Sequence, residues 1–131
     1  MVIDTSALIA ILTAEPEAEQ LAEAIEAEAT RLVSAASVLE TAIAIEARYG
    51  TAGGQKLDEL INTVQISIEP VTAVQITVAR QAYRTYGKGR HPAKLNFGDC
   101  FAYALAKVTG ESLLFKGEDF NQSDLNLVQL P

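Results

Sequence analysis

The sequence predicts an α/β fold with a mostly parallel central sheet covered by helices on both faces. Short apolar runs alternate with segments whose apolar residues recur at helical spacing. The links between successive runs are too long for hairpins, which favours crossovers between parallel strands. With 131 residues, 49% of them hydrophobic, the chain can bury a core without disulfides. We therefore predict a single domain over residues 1–131, with right-handed crossovers that bring the carboxyl ends of its strands to one edge.

The individual helices and strands are predicted from the spacing of apolar residues, from β-branched runs and from capping and glycine residues. Apolar or β-branched runs predict strands at residues 2–3, 31–33, 66–68, 112–115 and 125–130. Apolar spacings of three and four predict helices at residues 7–12, 16–29, 34–49, 55–63, 72–86 and 96–109. Thr5 or Ser6 is expected to cap the first helix, and residues 50–54, with three glycines, are expected to separate the third helix from the fourth. The predicted buried stripes include Val74, Phe97 and Val108.

Charge is distributed unevenly. The net charge of −7 argues against sequence-independent binding to nucleic-acid phosphates. Residues 70–98, however, contain no acid at all. Their candidate contacts for an RNA strand are Arg84, Lys88, Arg90, His91 and Lys94. The alternative is an ordinary solvated basic loop.

Compartment and redox state are predicted from what the sequence contains. No apolar run reaches the roughly 18 residues that a membrane span requires, and the first strand follows Met1 without a basic leader. The single cysteine, Cys100, excludes an internal disulfide and is expected in the core. We predict a cytoplasmic protein without a membrane segment.

Acidic residues stand just after predicted strands, or early in predicted helices, at four places. Asp4 follows the first strand, and Glu40 lies in the first turns of the helix after the second strand. Asp99 opens the helix at residues 96–109, and the adjacent Glu118 and Asp119 follow the fourth strand. Because parallel strands share one carboxyl edge, these acids can converge there. The sequence does not say which of the adjacent pair turns inward.

Three of these acids also have a purely structural interpretation. Asp4 could be a turn or cap residue. Glu40 could complete a capping box begun by Ser37, unless the helix starts earlier and already contains it. Asp99 would be stabilised by the helix dipole next to an Asn96 cap. These alternatives are left open by the sequence.

Converging carboxylates repel one another in a partly dry cleft, and a bound cation would neutralise them. The chain has no set of His or Cys residues with metal-ligand spacing. Oxygen ligands favour Mg²⁺ or Mn²⁺ over Zn²⁺. Such ions serve phosphoryl transfer by activating water and holding developing charge on phosphate.

Four segments carry a family resemblance. They are MVIDTSAL at residues 1–8, SAASVLE at 34–40, LNFGDC at 95–100 and LFKGEDF at 114–120. In this order, over nearly the whole chain, they resemble the PIN-domain ribonucleases, specifically the VapC toxins of bacterial toxin–antitoxin pairs. The resemblance implies a three-layer α/β/α sandwich and Mg²⁺-dependent endonucleolytic cleavage of RNA. It also implies a homodimer, neutralised by a small cognate antitoxin whose C-terminal part lies across the active groove.

The resemblance assigns roles to the acids. Asp4, Glu40 and Asp99 match the family's acidic triad, and Asp119 matches the usual fourth acid, with Glu118 beside it as the possible alternative. Thr5 or Ser6 matches the hydroxyl that accompanies the first acid. We expect Asp4 and Asp99 to ligate the principal metal directly, Mg²⁺ or Mn²⁺ in its place. Glu40 and Asp119 would hold waters, a second metal or the attacking hydroxide.

Two other functions remain open at this point. An aspartyl-phosphate enzyme or receiver also places an Asp after a parallel strand, but Ser6 stands where a dehalogenase-type hydrolase has its second acid. A receiver would have paired acids after its first strand, where Asp4 stands alone. A catalytically inactive PIN-like module, acting only through its protein partner, is the alternative of another class. The presence of all four acids speaks against it.

Overall fold

The computed structural model describes residues 1–130. The elements, in chain order, are β1 (Val2–Ile3), α1 (Thr5–Leu12), α2 (Ala18–Glu26), β2 (Leu32–Ser34), α3 (Ala35–Tyr49), α4 (Thr51–Val64), β3 (Ser67–Glu69), α5 (Ala73–Tyr86), α6 (Phe97–Thr109) and β4 (Leu113–Leu114). None of the described helices is long and apolar enough to cross a membrane.

The four strands form one parallel sheet in the order β3-β2-β1-β4. Val2 lies opposite Leu32 on one side and Leu113 on the other. The chain first adds β2 and β3 on one side of β1 and later returns to place β4 on its other side. Such a reversal opens a crevice at the carboxyl ends of the two strands beside it. That crevice lies between β1 and β4, directly after Ile3.

The strand residues alternate between two cores, because successive side chains of a strand point to opposite faces. Met1, Ile3 and Leu114 pack into one core with α1, α2 and α4. Val2 and Leu113 pack into the other with α5 and α6. The sheet is therefore covered by helices on both faces, and the predicted α/β/α sandwich is confirmed.

The glycine-rich segment after α3 was predicted wrongly as a break of five residues. Gly50, with φ of +69°, makes the turn alone, and α4 begins at Thr51. The next two glycines belong to the helix, since they allow it to lie close against α3. A Cβ at Gly53 would come within 2.5 Å of Ile45 Cγ2, and one at Gly54 within 2.9 Å of Glu46 Oε1.

Three residues that were predicted to be buried are exposed. Val74, Phe97 and Val108 expose 64%, 78% and 45% of their surface. The face of α5 that packs on α6 is built from small residues such as Ala79 and Ala82. Helix α5 is therefore buried along its alanines, and Val74 near its N-terminus stays exposed.

The last predicted strand is also absent from the described part of the chain. Residues 125–130 contribute a single parallel bridge, Leu113 to Leu127. Only Leu113 on the sheet side exchanges backbone hydrogen bonds there, donating to Asn126 and accepting from Val128. Since β4 itself has only two residues, it offers little ladder for a fifth strand to extend.

Candidate active site

Asp4 lies at the carboxyl end of the central strand β1 and is the N-cap of α1. Its backbone is extended, with φ of −79° and ψ of 156°, and its Oδ2 accepts hydrogen bonds from Ser6 N at 3.0 Å and Ser6 Oγ at 2.6 Å. The expectation that Thr5 or Ser6 caps this helix was therefore wrong. The helix begins at Thr5, so the last non-helical residue, which is the one able to cap, is Asp4.

Ser6 also connects Asp4 to the loop that follows β4. Its Oγ donates to Asp4 and accepts a hydrogen bond of 2.9 Å from the backbone N–H of Lys116. The hydroxyl therefore fixes the orientation of the carboxylate from both sides of the crevice. The sequence offered Thr5 and Ser6 as alternatives, and the structure gives the contact with Asp4 to Ser6.

Thr5 instead holds Glu40. Its Oγ1 donates to Glu40 Oε1 at 2.7 Å and lies 3.3 Å from the Ser37 carbonyl oxygen. Helix α3 is capped by Ser34, whose Oγ accepts from Ala36 N. Glu40 therefore lies inside the helix, and the capping box with Ser37 is not formed. Its carboxylate is free to reach across to α1.

The carboxylate of Glu40 lies directly over Gly98 in the first turn of α6. A Cβ placed at Gly98 would collide with Glu40 Oε2 and would stand 2.6 Å from its Cδ. Helices α3 and α6 pack against each other here. The structure therefore brings Glu40 to the turn that carries Asp99.

Asp99 is buried, 9% exposed, and forms a capping box with Asn96. Its Oδ2 accepts from Asn96 N at 3.0 Å, and its own N–H donates to Asn96 Oδ1 at 2.9 Å. The interpretation of Asp99 as part of an N-terminal cap with Asn96 is thus correct. The bond to Asn96 uses one carboxylate oxygen and leaves Oδ1 for another partner.

The pKa values of Asp4 and Asp99 are raised, and the charges of neighbouring acids contribute to both shifts. Burial raises the pKa of Asp4 to about 6, against hydrogen bonds from Ser6 that lower it, and Glu40 raises it further. Burial likewise raises the pKa of Asp99 to about 7, with the charges of Asp4, Asp119 and Glu40 adding to the effect. Asp119 itself is exposed, in the loop after β4. Asp99 is therefore within electrostatic reach of the other three predicted acids.

The donor chemistry suits a hydrated Mg²⁺ or Mn²⁺. In residues 1–130 no group of three or more His, Cys, Asp or Glu side chains is placed so that it could hold a metal ion. Mg²⁺ in proteins commonly takes only one or two carboxylates and keeps several waters. Two buried carboxyls with raised pKa values, next to two further acids, provide oxygen ligands whose mutual repulsion a cation would relieve. These residues therefore fit the ion that the sequence predicted.

The predicted RNA contacts lie outside this cluster. Arg84, Lys88, Arg90 and Lys94 are exposed, and none forms an ion pair within the described residues. His91 has a structural contact: its Nδ1 accepts from Ala93 N at 3.0 Å, and its ring meets Tyr86 edge-on at 5.2 Å. No contact of the structure joins these side chains to the acids.

The sequence missed an exposed apolar surface beside the acids. We call it the Phe97 surface, and it consists of Leu39, Ile43, Phe97 and Phe101. With Glu40 and Gly98 these residues line a groove of about 420 Å³. Phe97 and Phe101, in edge-to-face contact at 5.0 Å, also line a second groove of about 540 Å³ that contains Arg80 and Arg84. Spacing alone could not reveal it, because such residues at helical intervals are normally core.

Comparison with known proteins agrees with this geometry. Residues 1–125 match the PIN domain family. The chain is 56% identical to Ribonuclease VapC30 of Mycobacterium tuberculosis (strain ATCC 25618 / H37Rv). The match covers 131 residues, the whole length of both chains. It is also 56% identical over 128 residues, 98% of this chain and 99% of the relative, to Ribonuclease VapC of Mycolicibacterium smegmatis (strain ATCC 700084 / mc(2)155).

A solved structure agrees on the fold. The crystal structure of M. tuberculosis VapC20, described as a Sarcin-Ricin loop cleaving toxin, superposes with a TM-score of 0.80. The match covers 99% of this chain and 98% of that one at 16% identity, so it supports the architecture alone. The chain belongs to the PIN-domain family, and within that family to the VapC ribonucleases.

Proposed function

We propose that this chain is a divalent-metal-dependent endoribonuclease, the toxin of a toxin–antitoxin pair, with Asp4, Glu40, Asp99 and Asp119 as its active site. The observation that carries the proposal is the meeting of the first three acids at one edge of the sheet, where two buried carboxyls have raised pKa values. Names of relatives 56% identical over the whole chain support the reaction class. The charge of Asp119 acts on Asp99, which favours Asp119 over Glu118 as the fourth acid.

In this mechanism Asp4 and Asp99 would hold Mg²⁺, and Mn²⁺ could replace it. When bound, the ion would lower the pKa of a water and stabilise negative charge developing on the phosphate. Ser6 and Asn96 fix the orientations of the two ligating carboxylates. Glu40, oriented by Thr5, would accept the proton that water loses as its oxygen bonds to phosphorus. The bond from phosphorus to the leaving oxygen of the strand would then break, and that oxygen would take a proton from solvent. Asp119 would orient water at the open side of the crevice.

RNA is the proposed substrate, and the exposed cations of the basic loop are its proposed phosphate contacts. Arg84, Lys88, Arg90 and Lys94 are unpaired by acids in the described chain, so they are available to phosphates at no cost in broken ion pairs. Since RNA is the substrate, we propose a cytoplasmic site of action. The family match over residues 1–125 and the mixing of early and late strands in one sheet support one domain over residues 1–131.

We further propose that two copies associate through the Phe97 surface and that a small cognate antitoxin covers the active-site crevice between β1 and β4. Leu39, Ile43 and Phe97 expose 62%, 62% and 78% of their surface on two adjoining helices. A contiguous apolar surface of this kind is typical of an interface, and one self-complementary patch suffices for a two-fold dimer. Ile43→Glu should shift the mass measured by light scattering from dimer to monomer, while Val108→Glu, at an exposed site elsewhere, should not. An unchanged dimer in Ile43→Glu would place the interface elsewhere.

The activity is tested by incubating purified protein with labelled total RNA in Mg²⁺, Mn²⁺ or EDTA. We expect cleavage with either metal, none in EDTA, and a loss of at least a hundredfold in Asp4→Asn. Asp58→Asn, at an exposed position on α4, is the matched control and should cleave like wild type. Cleavage that persists in EDTA, or in Asp4→Asn, would refute the mechanism. Growth inhibition without any RNA cleavage would instead favour the inactive binding module.

A further inference from the structure

Next to the acids lies a glycine, Gly98, in the first turn of α6. We propose that Gly98 is a positioning residue, whose missing Cβ provides the space in which the Glu40 carboxylate joins the acid cluster. The inference rests on the proposed nuclease function, because it concerns how one of the proposed active-site acids is held. It adds a residue that neither the family match nor the names of the relatives assigns.

The Glu40 carboxylate is held from two sides. Its Oε1 accepts the 2.7 Å hydrogen bond from Thr5 Oγ1 on α1. On its other side it rests on the backbone of α6, where a Cβ at position 98 would collide with Oε2 and lie 2.6 Å from both Cδ and Oε1. Any side chain at this position therefore requires Glu40 to move.

The backbone of position 98 gives no reason for glycine. Gly98 lies within α6, outside the left-handed region in which glycine is favoured. Glycine in a helix is less favourable than alanine by up to about 1 kcal/mol. Alanine should therefore suit the helix itself. The methyl group of alanine would displace only the carboxylate end of the Glu40 side chain. We therefore expect the fold to tolerate the change, whereas the position of Glu40 in the acid cluster would be lost.

The chain contains a matched control for this geometry. Gly54, in the first turn of α4, lies under the carboxylate of Glu46, and a Cβ there would come within 2.9 Å of Glu46 Oε1. Gly54, like Gly98, lies in the first turn of a helix beneath a glutamate side chain. Glu46, however, is not among the charges that raise the pKa of Asp4 or Asp99. Gly54→Ala should therefore displace a glutamate without consequence for metal or RNA.

The test is a double-mutant cycle on Mn²⁺ binding, using wild type, Gly98→Ala, Glu40→Ala and the double variant, each measured by calorimetry. Glu40 would contact a water of the hydrated ion and not the ion itself, and changes at such outer partners of a metal site typically cost tenfold or more in affinity. We expect Gly98→Ala to lose about tenfold in Mn²⁺ affinity when Glu40 is present and less than twofold when it is absent. The melting temperature in EDTA should be unchanged or higher, and Gly54→Ala should bind Mn²⁺ like wild type.

A crystal structure of metal-free Gly98→Ala gives a second readout. Glu40 Oε1 should have left hydrogen-bonding distance of Thr5 Oγ1. Equal losses of affinity in both backgrounds, no loss in either, or an undisturbed Glu40 would each overturn the role given to Gly98 while leaving the nuclease intact. A wild-type protein that neither binds Mn²⁺ nor cuts RNA would instead refute the proposed function, and this inference with it.

Discussion

Replacing Asp99 with asparagine should raise the stability of the metal-free protein at pH 8 while abolishing RNA cleavage. Burial raises the pKa of this carboxyl from 3.8 to about 7, so at pH 8 the folded protein carries a charge that its surroundings disfavour. Each pKa unit corresponds to about 1.36 kcal/mol, which sets an upper bound of roughly 4 kcal/mol. Because water reaches the open side of the crevice and screens the repulsion, we expect about 2 kcal/mol.

The sign follows from proton linkage. An acid whose pKa is raised by folding binds more protons in the folded state, so stability is lost as pH rises through the interval between the two values. Asparagine has no such loss, and its amide oxygen can still accept the hydrogen bond from Asn96 N. For a chain of this size, 2 kcal/mol corresponds to roughly 7 °C in melting temperature. At pH 4 the folded carboxyl is protonated and the unfolded one, with a pKa of 3.8, is only about half ionised. The gain should therefore fall to about 0.5 kcal/mol or less.

The assay is a pair of thermal melts, in EDTA and in millimolar Mn²⁺, at pH 4 and pH 8, for wild type, Asp99→Asn and the surface control Asp58→Asn. Wild type and control should be stabilised by Mn²⁺ at pH 8, by about 2.7 kcal/mol at a hundredfold excess over Kd. Asp99→Asn should start higher in EDTA and gain little from the metal. A variant that is less stable than wild type in EDTA at pH 8, or that cuts RNA normally, would show that this carboxylate is a cap and nothing more.

Three further outcomes are expected. In EDTA, the free energy of unfolding of wild type should fall as pH rises from about 4 to 7, because Asp4 and Asp99 have pKa values raised to about 6 and about 7; a flat profile in urea titrations would contradict the shared field of the acids. Ser37→Ala should be neutral or stabilising by up to about 1 kcal/mol in the same titrations, since the buried Oγ of Ser37 makes no hydrogen bond in the described structure; a larger loss would reveal a use for that hydroxyl. Reversing the charge of Lys88 and Arg90 should weaken RNA binding and flatten its dependence of log affinity on log salt by about 1.4, at about 0.7 per single-strand phosphate contact, whereas an unchanged slope would make the basic loop an ordinary solvated surface.

The sequence predicted what local chemistry determines. Strand β1, the start of the third helix near Ser34, the cap at Asn96 and the position of Asp4 after β1 all follow from residue type and spacing within a few positions. It failed where packing between distant elements decides. Gly53 is helical because α3 and α4 approach closely there, and Phe97 is exposed because its helix turns other residues towards the sheet. Neither contact is encoded in the neighbours along the chain.

The site itself shows why the cap and ligand interpretations of the acids could not be separated from the sequence. They are not alternatives. Asp4 is the N-cap of α1, and Asp99 closes the capping box of α6, so each carboxylate is placed where a helix terminus stabilises negative charge. The cap's hydrogen bonds hold Oδ2 of both residues and thereby fix the direction of the carboxylate. Burial, with a smaller contribution from the neighbouring acids, still leaves both pKa values raised. The hydrogen bonds at the helix ends therefore offset the cost of the buried charge only in part. A divalent cation would favour the ionised form of both carboxyls further. Because the hydrogen bonds of the caps already fix Oδ2 in the metal-free protein, the carboxylates would not have to reorient when the cation binds.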